Sequence, residues 1–289
     1  MPRLARPASA GGLVLFVALL WAAATAGPAA AASPAPTLAP SERSGPGLPA
    51  PRVLDAAGFD TCSAPPLSTM QTWYRTSPYR AVGIYIGGHD RACAGGNLSP
   101  YWVRSVSAQG WGLIPIYVGL QAPCASSKGL TDRMVPAQAA QEGSGEADDA
   151  ANQAAAYGLA HGSPVYFDLE AFKETDQGCV NTVLTFLDAW TRELHAEGYY
   201  SGVYGSAASG MATLANAVQT RSSFTAPDAI WIARWDQQAR TADGSVPNQM
   251  WDRHQRIKQY QGGHVEKHGG VSLDIDSDYL DGPVAGLSC

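Results

Sequence analysis

Pro164-Val-Tyr-Phe-Asp-Leu-Glu170 is the stretch on which the reading of this chain turns. An apolar run ends in two carboxylates. Alternate residues of a strand share a face, so Asp168 and Glu170 point the same way. Two acids that close, desolvated to different extents, can be driven to different pKa values, one holding a proton and the other a charge. That is the equipment for cleaving a glycosidic bond. An isolated Asp-x-Glu also fits a capping Asp followed by a solvent-facing Glu, so its surroundings decide.

The surroundings are repetitive. From residue 53 to 289, short apolar, β-branched or aromatic segments alternate with longer helix-compatible ones, the pattern of βα units. Eight strand candidates can be counted: Asp55 to Asp60, Ala81 to Ile86, Leu113 to Val118, Val165 to Leu169, Tyr200 to Tyr204, Ile230 to Arg234, Ile257 to Tyr260 and Val271 to Ile275. Ala137 to Leu159 reads as a helix. So does Val180 to Glu197, with Val183, Leu184, Leu187, Trp190 and Leu194 at helical spacing and Gly198 at its end. The expected fold is a single (β/α)8 TIM-like barrel with an acidic groove at the strand C-terminal ends. A doubly wound open sheet is the competitor, but no Gly-x-Gly-x-x-Gly follows the first strand.

In the barrel, Gly58-Phe-Asp60 closes strand one, Asp168 and Glu170 close strand four, and Leu273-Asp-Ile-Asp276 closes strand eight. Strands one and eight are neighbours, so Asp60, Asp274 and Asp276 would face the strand-four pair. Like charges a few ångströms apart disfavour full ionisation, and a rim that bears this cost points to use. Tyr85, Tyr117, Tyr204, Trp231, Trp235, Gln259 and Tyr260 stand at the other strand ends. Aromatic planes and polar tips suit the apolar faces and hydroxyl edges of sugars, although each aromatic also fits ordinary packing. Arg234 can orient a rim carboxylate, contact an acidic substrate group or rest in an ion pair.

The N-terminus reads as an export leader. Arg3 and Arg6 precede the apolar run from Gly12 to Ala26, and small residues follow at Ala30 and Ala32, which makes 1–32 a signal peptide. The alternative is an uncleaved anchor, for which the run is short of the ~20 residues a span needs. No adjacent Arg pair is present, favouring the general secretory route. Residues 33–52 form a Pro/Ala/Ser-rich linker, and 53–289 the barrel domain, secreted or associated with the cell envelope. The chain has 19 Lys and Arg against 25 Asp and Glu, a net charge of −6, and loss of Arg3 and Arg6 makes it −8. Such an acidic domain is unsuited to nucleic acid or anionic membranes, and after cleavage no membrane association is expected. We expect a monomer.

Five cysteines, at 62, 93, 124, 179 and 289, leave one over after pairing. Cys62, Cys93 and Cys124 each follow a strand, so all three would gather on one rim, and a Cys93–Cys124 disulfide is expected. No spacing fits zinc, and neither metal nor cofactor is expected. Asp274-x-Asp276-x-Asp278 resembles a calcium loop, but Tyr279 stands where Gly is needed. His264-Val-Glu-Lys-His268 has its Glu misplaced for a zinc protease, and Gly262, Gly263, Gly269 and Gly270 argue against a helix there.

The ordered segments Gly58-Phe-Asp-Thr-Cys62, Ile84-Tyr-Ile-Gly-Gly88, Pro115-Ile-Tyr-Val-Gly119, Phe167-Asp-Leu-Glu170, Gly202-Val-Tyr-Gly205, Trp231-Ile-Ala-Arg-Trp235, Gln259-Tyr-Gln261 and Leu273-Asp-Ile-Asp276 together resemble the glycoside-hydrolase-like domain of secreted actinobacterial proteins. That domain is a relative of the family 25 glycoside hydrolases, the muramidases. The resemblance implies a TIM-like barrel, Glu170 as general acid, Asp168 as the stabilising or orienting carboxylate, and Asp60 and Asp274 as flanking acids. Asp276 and the Gly-Phe-Asp-Thr-Cys opening depart from the muramidase pattern. Two functions stay open: a hydrolase of envelope glycan, peptidoglycan or polysaccharide, and a non-catalytic wall-glycan binder.

Overall fold

The structure is a computed structural model and describes residues 47–92, 95–126 and 129–288. The leader, most of the linker, Cys93 and Cys289 lie outside the described residues. All eight expected strands form: β1 (Arg52–Asp60), β2 (Ala81–Gly87), β3 (Gly112–Tyr117), β4 (Pro164–Leu169), β5 (Tyr200–Ser206), β6 (Ala229–Ala233), β7 (Arg256–His268) and β8 (Val271–Val284). They close into a barrel in sequence order. Among the described residues five helices surround it: α1 (Leu67–Thr76), α2 (Pro100–Ala108), α3 (Ala139–Ala156), α4 (Gln177–Ala196) and α5 (Ala212–Thr220), the last entered through a π-helical turn, Ala207–Met211. In α4 the Asp176 side chain accepts from the Cys179 N–H, and the expected Gly198 follows the helix at φ +88°.

Side-chain alternation divides the apolar residues into two cores. Ala81, Ile114, Ile116, Tyr166, Ala229, Trp231, Ile257, Leu280 and Val284 fill the lumen. Their neighbours in sequence, including Val82, Leu113, Tyr117, Phe167, Val203 and Ile230, pack outward beneath the helices. Each large buried side chain contributes roughly 1.5–3 kcal/mol, the reserve against which a desolvated acidic rim is held. Glycines make room for bulk: a Cβ on Gly202 would lie 2.3 Å from the Tyr166 ring, and one on Gly83 would lie 2.6 Å from the Asp60 Cβ.

The closure differs from an all-parallel (β/α)8 barrel. β1 to β7 run parallel, but β8 is antiparallel to both β7 and β1. No helix separates β7 from β8; Gly269 (φ +55°) and Gly270 (φ +85°) turn the chain directly, a conformation that favours glycine. The last strand therefore starts beyond the mouth and descends. Its acids reach the rim from the strand's N-terminal half, not from the C-terminal end expected from the sequence.

The expected Cys93–Cys124 disulfide is not formed, because Cys124 pairs with Cys179. The first turn of α4 starts at the same rim as the strand ends, so Cys179 is as near as any cysteine that follows a strand. Cys62 is disulfide-bonded as well. The 124–179 bridge spans 55 residues, for which chain entropy predicts a loss of about 4 kcal/mol when it is removed. The Cys124→Ser/Cys179→Ser double variant should show a correspondingly lower urea midpoint. An unchanged midpoint would argue that the bridge does not form in the folded protein.

Candidate functional site

The mouth opens into a cleft of about 220 Å³. Asp168 and Glu170 form one wall, as their shared parity requires; Asp60 and Asp276 face them, and Trp235 stands at the edge. Asp60 and Asp276 are paired residues of β1 and β8. Tyr85 donates to Asp60 Oδ1 (2.9 Å), and Gln259 Nε2 donates to Asp60 Oδ2 (2.9 Å) and to Asp276 Oδ2 (3.4 Å). Tyr204 O–H and Trp235 Nε1 both donate to Gln259 Oε1 at 3.0 Å. One amide thereby ties an aromatic rim to two acids.

Burial sets the electrostatics. Asp60 is 2% exposed, and desolvation, then Asp276, pushes its pKa up to about 7, against the pull of Gln259 and Tyr85. Asp168 is 8% exposed, and its Oδ1 has no hydrogen-bond partner. Burial, then the Glu170 charge, holds its carboxyl well above the usual range. Glu170 is raised by burial too, but the Ala171 N–H draws it back. Burial thus raises both members of the pair, with Asp168 the deeper and Glu170 the more accessible.

The sequence reading missed two contributors. Asp278, fully buried one step below Asp276, accepts from Trp231 Nε1 (2.9 Å) and is raised by burial and by Asp60. Its Oδ2 has no donor of fixed protonation, and Asp278 and Asp60 hydrogen-bond only when a proton lies between them. The Asp274-x-Asp276-x-Asp278 alternation was the available signal. The second is Gln121, fully buried just beyond β3. Its Nε2 donates to the carbonyls of Gly119 (3.0 Å) and Asp168 (2.8 Å), while its Oε1 accepts from the Glu170 N–H (2.9 Å). This amide splints the backbone that carries both wall acids. The Cys124–Cys179 bridge reinforces the same junction, where Ser126 N–H donates to Ala171 O and Lys173 N–H to Cys124 O.

Four expected site residues do not line the cleft. Tyr117 faces the helices, donating to Asp149 Oδ2 (2.7 Å) and packing on Trp190. Arg234 also faces away and pairs with Asp243 (2.6 Å). Tyr260 turns to the outer cluster of Tyr79, Glu266 and Ser277. Asp274 is exposed on the β7–β8 hairpin beyond the rim, opposite Val265, and reaches the cleft only through its repulsion of Asp276. Asp60, Asp168, Glu170, Asp276, Tyr85, Tyr204, Trp231, Trp235 and Gln259 do come together. Outside the cleft, His264 and His268 lie on β7 and both contact Glu266, a strand arrangement as the flanking glycines implied.

An acid with an ordinary pKa of 3.8 and a folded one of about 7 keeps its proton in the folded state over a range where the unfolded chain has lost it. Its stabilising contribution is full below about pH 4 and is lost as pH rises through about 7; Asp168 and Asp278 act in the same direction. The thermal midpoint should thus fall between about pH 5 and about pH 8, and fall less in Asp60→Asn. A flat wild-type profile would contradict this desolvated cluster.

Residues 71–280 match the family described as Rv2525c-like, glycoside hydrolase-like domain. A comparison with curated proteins finds no match. Among solved structures, an uncharacterized B. stearothermophilus protein superposes with a TM-score of 0.54 at 16% identity, over 78% of this chain and 95% of that one. The Mycobacterium tuberculosis Tat-secreted protein Rv2525c, in complex with L-tartrate, superposes at 0.52 with 17% identity, over 78% of this chain and 96% of that one. These identities speak for the fold alone. Running from α1 into β8, the matched segment takes in the whole cleft except Asp60, and the chain belongs to the family of Rv2525c-like, glycoside hydrolase-like domains.

Proposed function

We propose that this protein is an exported glycoside hydrolase acting on a cell-envelope glycan, peptidoglycan or polysaccharide. The observation that carries the reading is the pairing of Asp168 and Glu170 on one wall of the acidic cleft, both held above ordinary carboxylate pKa values by burial. Glu170, the more accessible of the two, protonates the leaving glycosidic oxygen. Asp168 ionises as substrate enters and stabilises the oxocarbenium-like transition state or orients a substituent nitrogen through its unpartnered Oδ1. Asp60 and Asp276, fixed by Gln259, complete the acidic lining, and the part expected of Asp274 passes to Asp276 and Asp278. Tyr85, Tyr204, Trp231 and Trp235 line the sugar path. Export rests on the leader-like segment 1–32, which lacks the adjacent arginines of a folded-protein signal.

A cleft that only holds glycan is the second reading. It is favoured by the burial of Asp168, which opposes the ionisation that its part in hydrolysis requires. Hydrolysis needs Glu170 protonated and Asp168 ionised at the same time.

Release of reducing ends from purified envelope glycan separates the two. Wild type should release sugar, and Glu170→Gln should lose on the order of 10²–10⁴ in rate with its thermal midpoint retained. Sedimentation of both proteins with the wall, without release by either, would leave a binder and end the hydrolase reading. If hydrolysis is found, kcat/KM should be bell-shaped in pH. The alkaline limb is lost as Glu170 deprotonates, above the ordinary 4.5 because that group is raised, and the acid limb is lost as Asp168 takes up its proton. Retention of the acid limb in Asp168→Asn would remove Asp168 from this role.

A further inference from the structure

The charges at the mouth are sorted by sign. Among the described residues the cleft lining contains Asp60, Asp168, Glu170 and Asp276 and no Lys, Arg or His. The cations carried by the same strands are turned through the barrel wall. Lys258, fully buried, contacts Asp236 (2.7 Å) and Asp243 (3.8 Å), and Arg234 contacts Asp243 (2.6 Å). Both are satisfied behind the wall, so neither offsets the field inside.

That field has an opening aimed into it. Asp168 Oδ1 is buried, lines the cleft and has no donor. Leaving such an atom unmatched is costly, and a ligand donor would recover that cost. A bare metal ion fits poorly. Among the described residues the one group of three acids close enough to share an ion is Asp148, Glu193 and Glu197, on α3 and the end of α4, away from the cleft. The cleft carboxylates instead line opposite walls, which suits a cationic group carried on something the size of a sugar. The platform for that sugar is Trp235. The residue is 65% exposed, and its indole lies on Gly262, where a Cβ would come within 2.3 Å of the ring.

We infer that this cleft selects a sugar bearing a free amine, a 2-amino-2-deoxyhexose unit whose ammonium donates to Asp168 Oδ1 while the ring stacks on Trp235. The inference rests on the glycan reading above and narrows its substrate class. An ammonium carries three donors and a charge that favours ionisation of Asp168 and the acids around it, whereas an acetamido group offers one N–H and no charge. Sugars with carboxylates meet no cation in the lining and oppose that ionisation.

The test is binding of three tetrasaccharides to the full chain, followed by calorimetry: a glucosamine oligomer, its N-acetylated counterpart and an oligouronate. Wild type should bind the glucosamine oligomer at least tenfold tighter than the acetylated one, with the preference shrinking as salt rises, and should bind the uronate weakest. Asp168→Asn should lose the preference yet still bind the acetylated oligomer. Asp276→Asn, at the half-exposed rim, should reduce the preference should the first variant fold poorly, and Trp235→Ala should weaken both oligomers together. Equal or tighter binding of the acetylated oligomer by wild type would overturn the inference while leaving a glycan site in place. Binding of none of the three would overturn both, and a preference undiminished in both Asp variants would overturn the role of the carboxylates.

Discussion

The antiparallel pairing of β1 with β8, running from Arg52 opposite Val284 to Asp60 opposite Asp276, is the constraint on which the molecule depends. It closes the barrel, so that no strand edge is left open. It also sets Asp60 beside Asp276 and above Asp278, residues more than 200 positions apart in the chain. A parallel β8 would deliver its C-terminal residues to the mouth, and the aspartates of residues 274–278 would be carried to the opposite end.

Once those acids are enclosed, the lumen decides what they can be. Trp231, Tyr166 and the aliphatic layers below exclude water, and each carboxylate that loses hydration either finds a donor or keeps its proton. Asp60 finds Tyr85 and Gln259, Asp278 finds Trp231 for one oxygen only, and Asp168 Oδ1 finds no donor. The gradation from fully buried Asp278 to half-exposed Glu170 follows depth in the barrel. Gln121 and the 124–179 disulfide hold the wall at its rim end, where the strand ladder has stopped and only loops remain to fix Glu170.

Much of this was legible in the sequence. All eight strands were found because a strand buried on both faces still shows its β-branched runs and its bounds. Parity, which put Asp168 and Glu170 on one face, also sorts the other candidates when carried through each strand. With Ile114 and Ile116 in the lumen, Tyr117 must face out. With Trp231 in, Trp235 follows it and Arg234 does not, and with Ile257 and Gln259 in, Tyr260 is out. Asp278 was visible by the same rule, one alternation below Asp276. Gln121 was not, because its role is to bridge backbone groups of two other segments, and no local pattern announces that.

The sequence alone determined which segments become strands, which of their residues share a face, and that acids and aromatics collect at one end of a barrel. These follow from alternation and hydrophobic burial, which are local and periodic. Tertiary structure decided the direction of the last strand, the partner of Cys124, the exclusion of Asp274 from the cleft and the burial that raises both Asp168 and Glu170. Each of those depends on the distance between residues remote in the chain or on the water left around a single carboxylate, and neither quantity is carried by the order of residues along a strand.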